Sequence, residues 1–110
     1  MKKLLFAAML LSGCVMSNIA ATKPIALSAA QMAQIKSTVT RDFFDPGSAQ
    51  FRNVRAADIT TTDGISERRV CGEVNGKNRM GGYVGFKMFG GKIVNGQFKA
   101  VDFFGPCEPF

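Results

Sequence analysis

Apolar residues follow three patterns along this chain. From Leu4 to Met16 they run almost unbroken. From Met32 they return at helical spacing, at Met32, Ile35, Val39 and Phe43, with Gln34, Lys36, Ser37, Thr40 and Arg41 on the other faces. That is the stripe of an amphipathic helix packed on a core. Ser28-Ala29-Ala30-Gln31 has capping-box spacing at its start, with Leu27 and Met32 placed for a hydrophobic staple. Asp45-Pro46-Gly47 is expected to end the helix, because proline disfavours helical geometry in the residue before it.

After Gly47 the pattern becomes that of strands. Phe51, Val54 and Ile59 fall among polar residues, and their imperfect alternation predicts a bulge near Ala56-Ala57. Thr62-Asp63-Gly64 predicts a tight hairpin turn, followed by a returning strand from Ile65 to Val74. Tyr83, Gly85, Lys87 and Phe89 alternate with Val84, Phe86 and Met88, which predicts a strand with one buried face. Gly90-Gly91 and Asn95-Gly96 read as turns. Lys92-Ile93-Val94 reads as a short strand between them or part of a longer hairpin loop, and Gln97 to Phe104 as a last strand or a helical turn. The expected fold is α+β: one N-terminal helix packed on a three- to four-stranded antiparallel sheet, with one disulfide.

The first apolar run carries a different message. Lys2 and Lys3 precede Leu4-Leu5-Phe6-Ala7-Ala8-Met9-Leu10, the charged and apolar regions of an export signal. The run ends in Leu11-Ser12-Gly13-Cys14, which resembles the lipobox of bacterial lipoproteins. The resemblance implies that the Cys14 thiol takes a diacylglycerol, that the signal is cut before it, and that the new amino terminus is acylated, commonly with palmitate. At about 13 residues the run is shorter than the roughly 20 needed to span a bilayer. The expected divisions are a signal peptide at 1–13, a lipidated cysteine and flexible tether at 14–26, and a small domain at 27–110. Two acyl chains or more give stable anchoring, so the lipid bilayer is the first expected partner. Val15 stands where aspartate is the usual inner-membrane retention signal, so the resemblance favours the outer membrane, facing the periplasm.

Composition fits that address. The chain has 110 residues, 14 basic and 8 acidic, with no histidine and no tryptophan. Without residues 1–13 it keeps 97 residues and a net charge of +4, enough for one small, modestly basic domain. Missing histidine removes the commonest general base and metal ligand. Three cysteines leave an odd thiol unless Cys14 is consumed by lipid. Cys71 and Cys107 then remain, as a disulfide pair or as two buried thiols. An oxidising compartment favours the pair, and a bridge closing 36 residues would contribute about 3–4 kcal/mol. They do not make a zinc ligand set, and no metal or other cofactor is expected.

Two stretches carry a further resemblance. Cys71-Gly72-Glu73-Val74-Asn75-Gly76-Lys77-Asn78 and Gly81-Gly82-Tyr83-Val84-Gly85-Phe86, with Asp45 to Val54, look like a small domain of uncharacterised proteobacterial and phage proteins. That resemblance implies a fold and no activity. The chemistry richest in polar groups is Glu73, Asn75, Lys77, Asn78 and Arg79, followed by Tyr83, on a glycine-rich segment. Such a cluster is either a binding loop for an anion or an acidic partner segment, or a solvated turn with Asn75-Gly76 at its tip. The interleaved Arg79, Tyr83, Phe86, Lys87, Phe89 and Lys92 resemble the aromatic strand of an RNA-recognition module only superficially, and no nucleic-acid partner is expected. The functional expectation is a non-enzymatic, membrane-anchored module of the cell envelope that binds an envelope protein or component. The alternatives are a wall- or lipid-acting enzyme using Glu73 with Asn75, Lys77 and Asn78, or a phage-encoded lipoprotein that blocks a surface receptor.

Overall fold

A computed structural model describes residues 18–101. The signal at 1–13, Cys14 and Cys107 lie outside the described residues. The fold is α+β, with one α-helix and one five-stranded antiparallel sheet. The strands are β1 (Ile19–Ile25), β2 (Gln50–Thr61), β3 (Ser66–Asn75), β4 (Lys87–Val94) and β5 (Gln97–Val101), hydrogen-bonded in that order across the sheet. Helix α1 (Ala29–Val39) joins β1 to β2, and a 3₁₀ turn at Pro46–Ser48 leads into β2.

The count of five corrects the expected three or four, and both additions come from the ends. The stretch read as tether is strand from Ile19 onward, pairing Lys23 with Asp58 and Ile25 with Ala56. Its side chains are mostly exposed, so no alternation betrays it; backbone hydrogen bonds to β2 define it. Pro24 is tolerated because β1 is an edge strand. At the other end, Gln97–Val101 is strand, with Phe98 as its buried anchor.

Helix α1 begins as its sequence dictates. Gln31 N donates to Ser28 Oγ at 3.1 Å, and Ser28 N donates to Gln31 Oε1 at 3.0 Å. It stops a turn before Phe43. Thr38-Val39-Thr40 is a β-branched run of low helix propensity, and Thr40 Oγ1 donates back to the Lys36 carbonyl at 2.7 Å. The helix lies on one face of the sheet, where Ile35, Ala56, Val70 and Phe98 form the core. Ile25, Leu27, Val39, Val54, Phe89 and Ile93 pack around them. Gln34, expected on a solvent face, instead accepts from the outward Phe98 N–H at 3.0 Å. The helix thus occupies a donor on an edge strand that would otherwise invite another chain. Ala57, Ile59 and Cys71, on the other face, are equally closed to solvent. Both faces of β2 are buried at Ala56-Ala57, and that explains the broken alternation there.

The bulge falls elsewhere, between Arg52 and Arg55, where β2 has one residue more than β3. Asn53 is the extra residue, at φ 54°. Gly90-Gly91 also corrects its reading: both residues lie inside β4 and are buried. A Cβ on Gly91 would stand 2.3 Å from the Lys99 carbonyl oxygen and 2.6 Å from the Phe98 ring. Here glycine makes room for an aromatic ring, and it marks no turn. The Asp63-Gly64 and Asn95-Gly96 turns form as expected, with Gly64, Asn95 and Gly96 all at positive φ. Cys71 is the one cysteine among the described residues, and no disulfide joins two of them.

Candidate functional site

The polar cluster picked out in the sequence separates into two places. Glu73 lies on β3 between Arg52 of β2 and Met88 of β4, on the face away from the helix. Arg52 Nε donates to its Oε1 at 3.1 Å and Arg52 Nη2 to its Oε2 at 3.3 Å, while Asn53 Nδ2 donates to Oε1 at 2.9 Å. The hydrogen bond from Arg52, then that from Asn53, holds the Glu73 carboxyl below its usual range. Its role here is to staple the bulge of β2 to β3.

The other residues build the connection between β3 and β4. Asn75, buried at the end of β3, accepts the Gly85 N–H on Oδ1 at 2.9 Å. Val84 N donates to the Gly76 carbonyl at 3.2 Å, and Lys77 pairs with Tyr83 in an isolated antiparallel bridge. Asn78 closes the tip. Its Oδ1 accepts from Met80 N at 2.9 Å and Gly82 N at 3.1 Å, and its own N–H donates to the Gly82 carbonyl at 2.9 Å. The tip is therefore Arg79-Met80, and the expected Asn75-Gly76 tip is instead the loop's base. The expected strand from Tyr83 starts only at Lys87; Tyr83 to Phe86 belong to the loop, and Val84 and Met88 are exposed. Asn75 and Asn78 outcompete a continued ladder by bonding the backbone of Gly82 and Gly85 themselves.

This loop is tied to the rest of the fold. Tyr83 Oη donates to the Ser48 carbonyl at 2.9 Å. Phe43 packs over Gly76, whose missing Cβ would stand 2.8 Å from the ring. Lys77 Nζ lies 5.3 Å from the Tyr83 ring centroid, and Arg79 Cζ lies 4.9 Å from that of Phe44. Beside them is a shallow recess of about 200 Å³ lined by Phe43, Phe44, Val74, Gly76, Val84 and Lys87 among others. Met80 is 91% exposed, and Phe44, Tyr83 and Val84 are also exposed. The surface is apolar and rimmed by cations. Sequence reasoning missed Phe44, Met80 and Val84, because a helix stripe and a strand alternation assigned neighbouring apolar positions to the core.

Elsewhere, charged side chains pair with one another on the sheet. Arg68 makes a two-pronged ion pair to Asp58, at 2.8 and 3.1 Å. Glu67 accepts from Arg69 at 2.9 Å and Lys92 at 3.0 Å. Burial pushes the Glu67 carboxyl up, but those two hydrogen bonds and the positive charges of Lys92 and Arg69 together outweigh it, leaving it below its usual range. Phe86 carries Arg52 on its ring, 3.8 Å from Cζ to centroid. Among the described residues no set of three His, Cys, Asp or Glu side chains is gathered to hold a metal ion, and no helix is long and apolar enough to cross a membrane.

No protein-family model, no curated protein and no solved structure matches the chain.

Proposed function

We propose that this chain is a lipid-anchored, non-enzymatic binding module of the bacterial cell envelope. Acylated Cys14 holds it to the outer membrane on the periplasmic side, and the loop from Gly76 to Phe86 meets a partner protein. The observation that carries the reading is the loop itself. It exposes Met80, Tyr83 and Val84, beside Phe44, on a backbone fixed by Asn75, Asn78 and the Tyr83–Ser48 bond. Exposed apolar side chains on a pre-ordered frame lose little entropy on binding, which is how small contact surfaces gain affinity. Lys77 and Arg79 flank the apolar patch and favour a partner with carboxylates around an apolar pocket.

The non-enzymatic side of the reading is supported by Glu73. A carboxylate held ionised by a guanidinium has little tendency to exchange a proton near neutral pH. The proposal includes a Cys71–Cys107 disulfide. Cys71 is buried and its sulfur is engaged. It stands in one cross-strand row with Gly90 and Val101, about 10 Å from Val101 at two strand spacings. The six residues from Val101 to Cys107 reach back over that distance easily.

A photo-crosslinking side chain at position 80, used in intact envelopes, tests the binding reading. The expected result is a discrete protein adduct that disappears when Arg79→Glu and Val84→Asp are added. Labelling no different from that of a reporter placed at Thr62 overturns it.

A further inference from the structure

The end of the sheet opposite the loop carries its own exposed apolar residues. Ile19 is 37% exposed, Ile65 53% and Val94 46%. The register gathers them. Ile19 pairs with Thr61, the Thr61 N–H donates to the Ile65 carbonyl, and Val94 lies one step beyond the Arg68–Ile93 pair. Val94 belongs by strand alternation to the face opposite the helix; Ile19 shares that face through its pairing with Thr61, beyond the register shift between Ile19 and Ala21, and Ile65 ends the turn that leads into β3.

A row of cations crosses the same face. Ala57, Arg69, Lys92 and Lys99 are successive partners across β2 to β5, so Lys92 and Lys99 stand directly opposite one another. Like charges directly across a sheet repel. Glu67 accepts from both Arg69 and Lys92, leaving the four groups with a surplus of two positive charges. Val94 is two residues along β4 from Lys92, a rise of about 7 Å. An apolar fringe with cations set about that far behind it matches the layering of a bilayer surface, acyl boundary below and phosphates above.

The chain's start lies at this same end. Asn18 is pinned to the β2–β3 turn, its carbonyl accepting from Thr62 N at 2.7 Å and its N–H donating to Thr62 Oγ1 at 3.0 Å. Only three residues separate Asn18 from Cys14, so a chain between them reaches at most about 14 Å. We infer that the fringe of Ile19, Ile65 and Val94, with Lys92 and Lys99 behind it, is a contact face for an anionic phospholipid surface. It seats the domain against the bilayer that holds its anchor and points the Gly76–Phe86 loop away from it. The twelve residues of β2 place the two ends about 36 Å apart. This inference rests on the anchoring of Cys14 proposed above.

The absence of tryptophan gives a clean test. Ile65→Trp, Val94→Trp and Met80→Trp each introduce a sole indole at an exposed position. The full exported protein is placed in vesicles of phosphatidylcholine with 30 mol% phosphatidylglycerol, carrying brominated acyl chains. Mass spectrometry reads acylation separately, and a chain lacking it is coupled through the Cys14 thiol to a maleimide lipid, so the face is tested whichever way the anchor reading falls. Quenching at 65 and 94 is expected to exceed that at 80 at least threefold, and Lys99→Glu to reduce it. Equal quenching at all three positions on vesicle-bound protein overturns the inference.

Discussion

Asn53 donates from its side-chain amide to Glu73 Oε1 at 2.9 Å while its own backbone stands at φ 54°. The residue that bulges β2 and the carboxylate that looked most chemical in the sequence are thus one structural device. Asparagine tolerates the left-handed region far better than a β-branched residue does. Asn53→Val is expected to cost about 1–2 kcal/mol in urea unfolding, and Asn53→Gly less than Asn53→Val.

The same carboxylates set the response to acid. Asp58, Glu67 and Glu73 all sit below their ordinary values, 3.8 for the aspartate and 4.5 for the glutamates. A group whose folded pKa is depressed contributes stability above its unfolded pKa and loses it as pH falls through the folded value. The thermal midpoint is therefore expected to hold from pH 7 to about pH 5 and to decline below 4.5, with a shallower decline in the double variant Glu67→Gln, Glu73→Gln. Differential scanning calorimetry between pH 3 and pH 7 checks this.

Gly91→Ala asks whether the buried glycines of β4 are spacers. The added methyl would meet backbone at Lys99 and the ring of Phe98, so β5 must move or Phe98 must leave the core. A loss of about 2–3 kcal/mol is expected. The neighbouring change Lys92→Ala, at a half-buried position, removes one of two cations from Glu67 and is expected to cost about 1 kcal/mol or less.

Tyr83→Phe removes only the Oη that reaches the Ser48 carbonyl. Global stability is expected to fall by about 1 kcal/mol or less. Hydrogen exchange at the Gly81, Gly82 and Val84 amides is expected to rise several-fold, while the Val70 and Ile93 amides keep their protection. Equal loosening everywhere would mean that the loop is not a separate ordered unit.

How legible all this was depended on whether local chemistry or pairing made the structure. The Ser28–Gln31 capping box and the Asp63-Gly64 and Asn95-Gly96 turns are fixed within four residues, and each formed as read. Strand β1 has no such signature, since Ile19-Ala20-Ala21-Thr22-Lys23-Pro24-Ile25 becomes a strand only when β2 lies beside it. Gly90-Gly91 misled because a glycine pair looks the same whether it supplies a turn or, as Gly91 does, space for the Phe98 ring. Tyr83 to Phe86 misled because the alternation was real but Asn75 and Asn78 took the backbone hydrogen bonds that a strand would use. The loop's polar residues were found from the sequence, and of these Asn75 and Asn78 bond the loop's own backbone while Lys77 and Arg79 lie over the Tyr83 and Phe44 rings. The exposed apolar residues beside them came only from the fold.

The claim on which address, anchor and orientation rest is acylation of Cys14. The intact mass of the N-terminal peptide of the protein purified from membranes measures it directly. The account predicts a peptide beginning at Cys14 and carrying a diacylglyceryl thioether with an amide-linked acyl chain. A peptide beginning at Met1, or one with an unmodified Cys14 thiol, would contradict it.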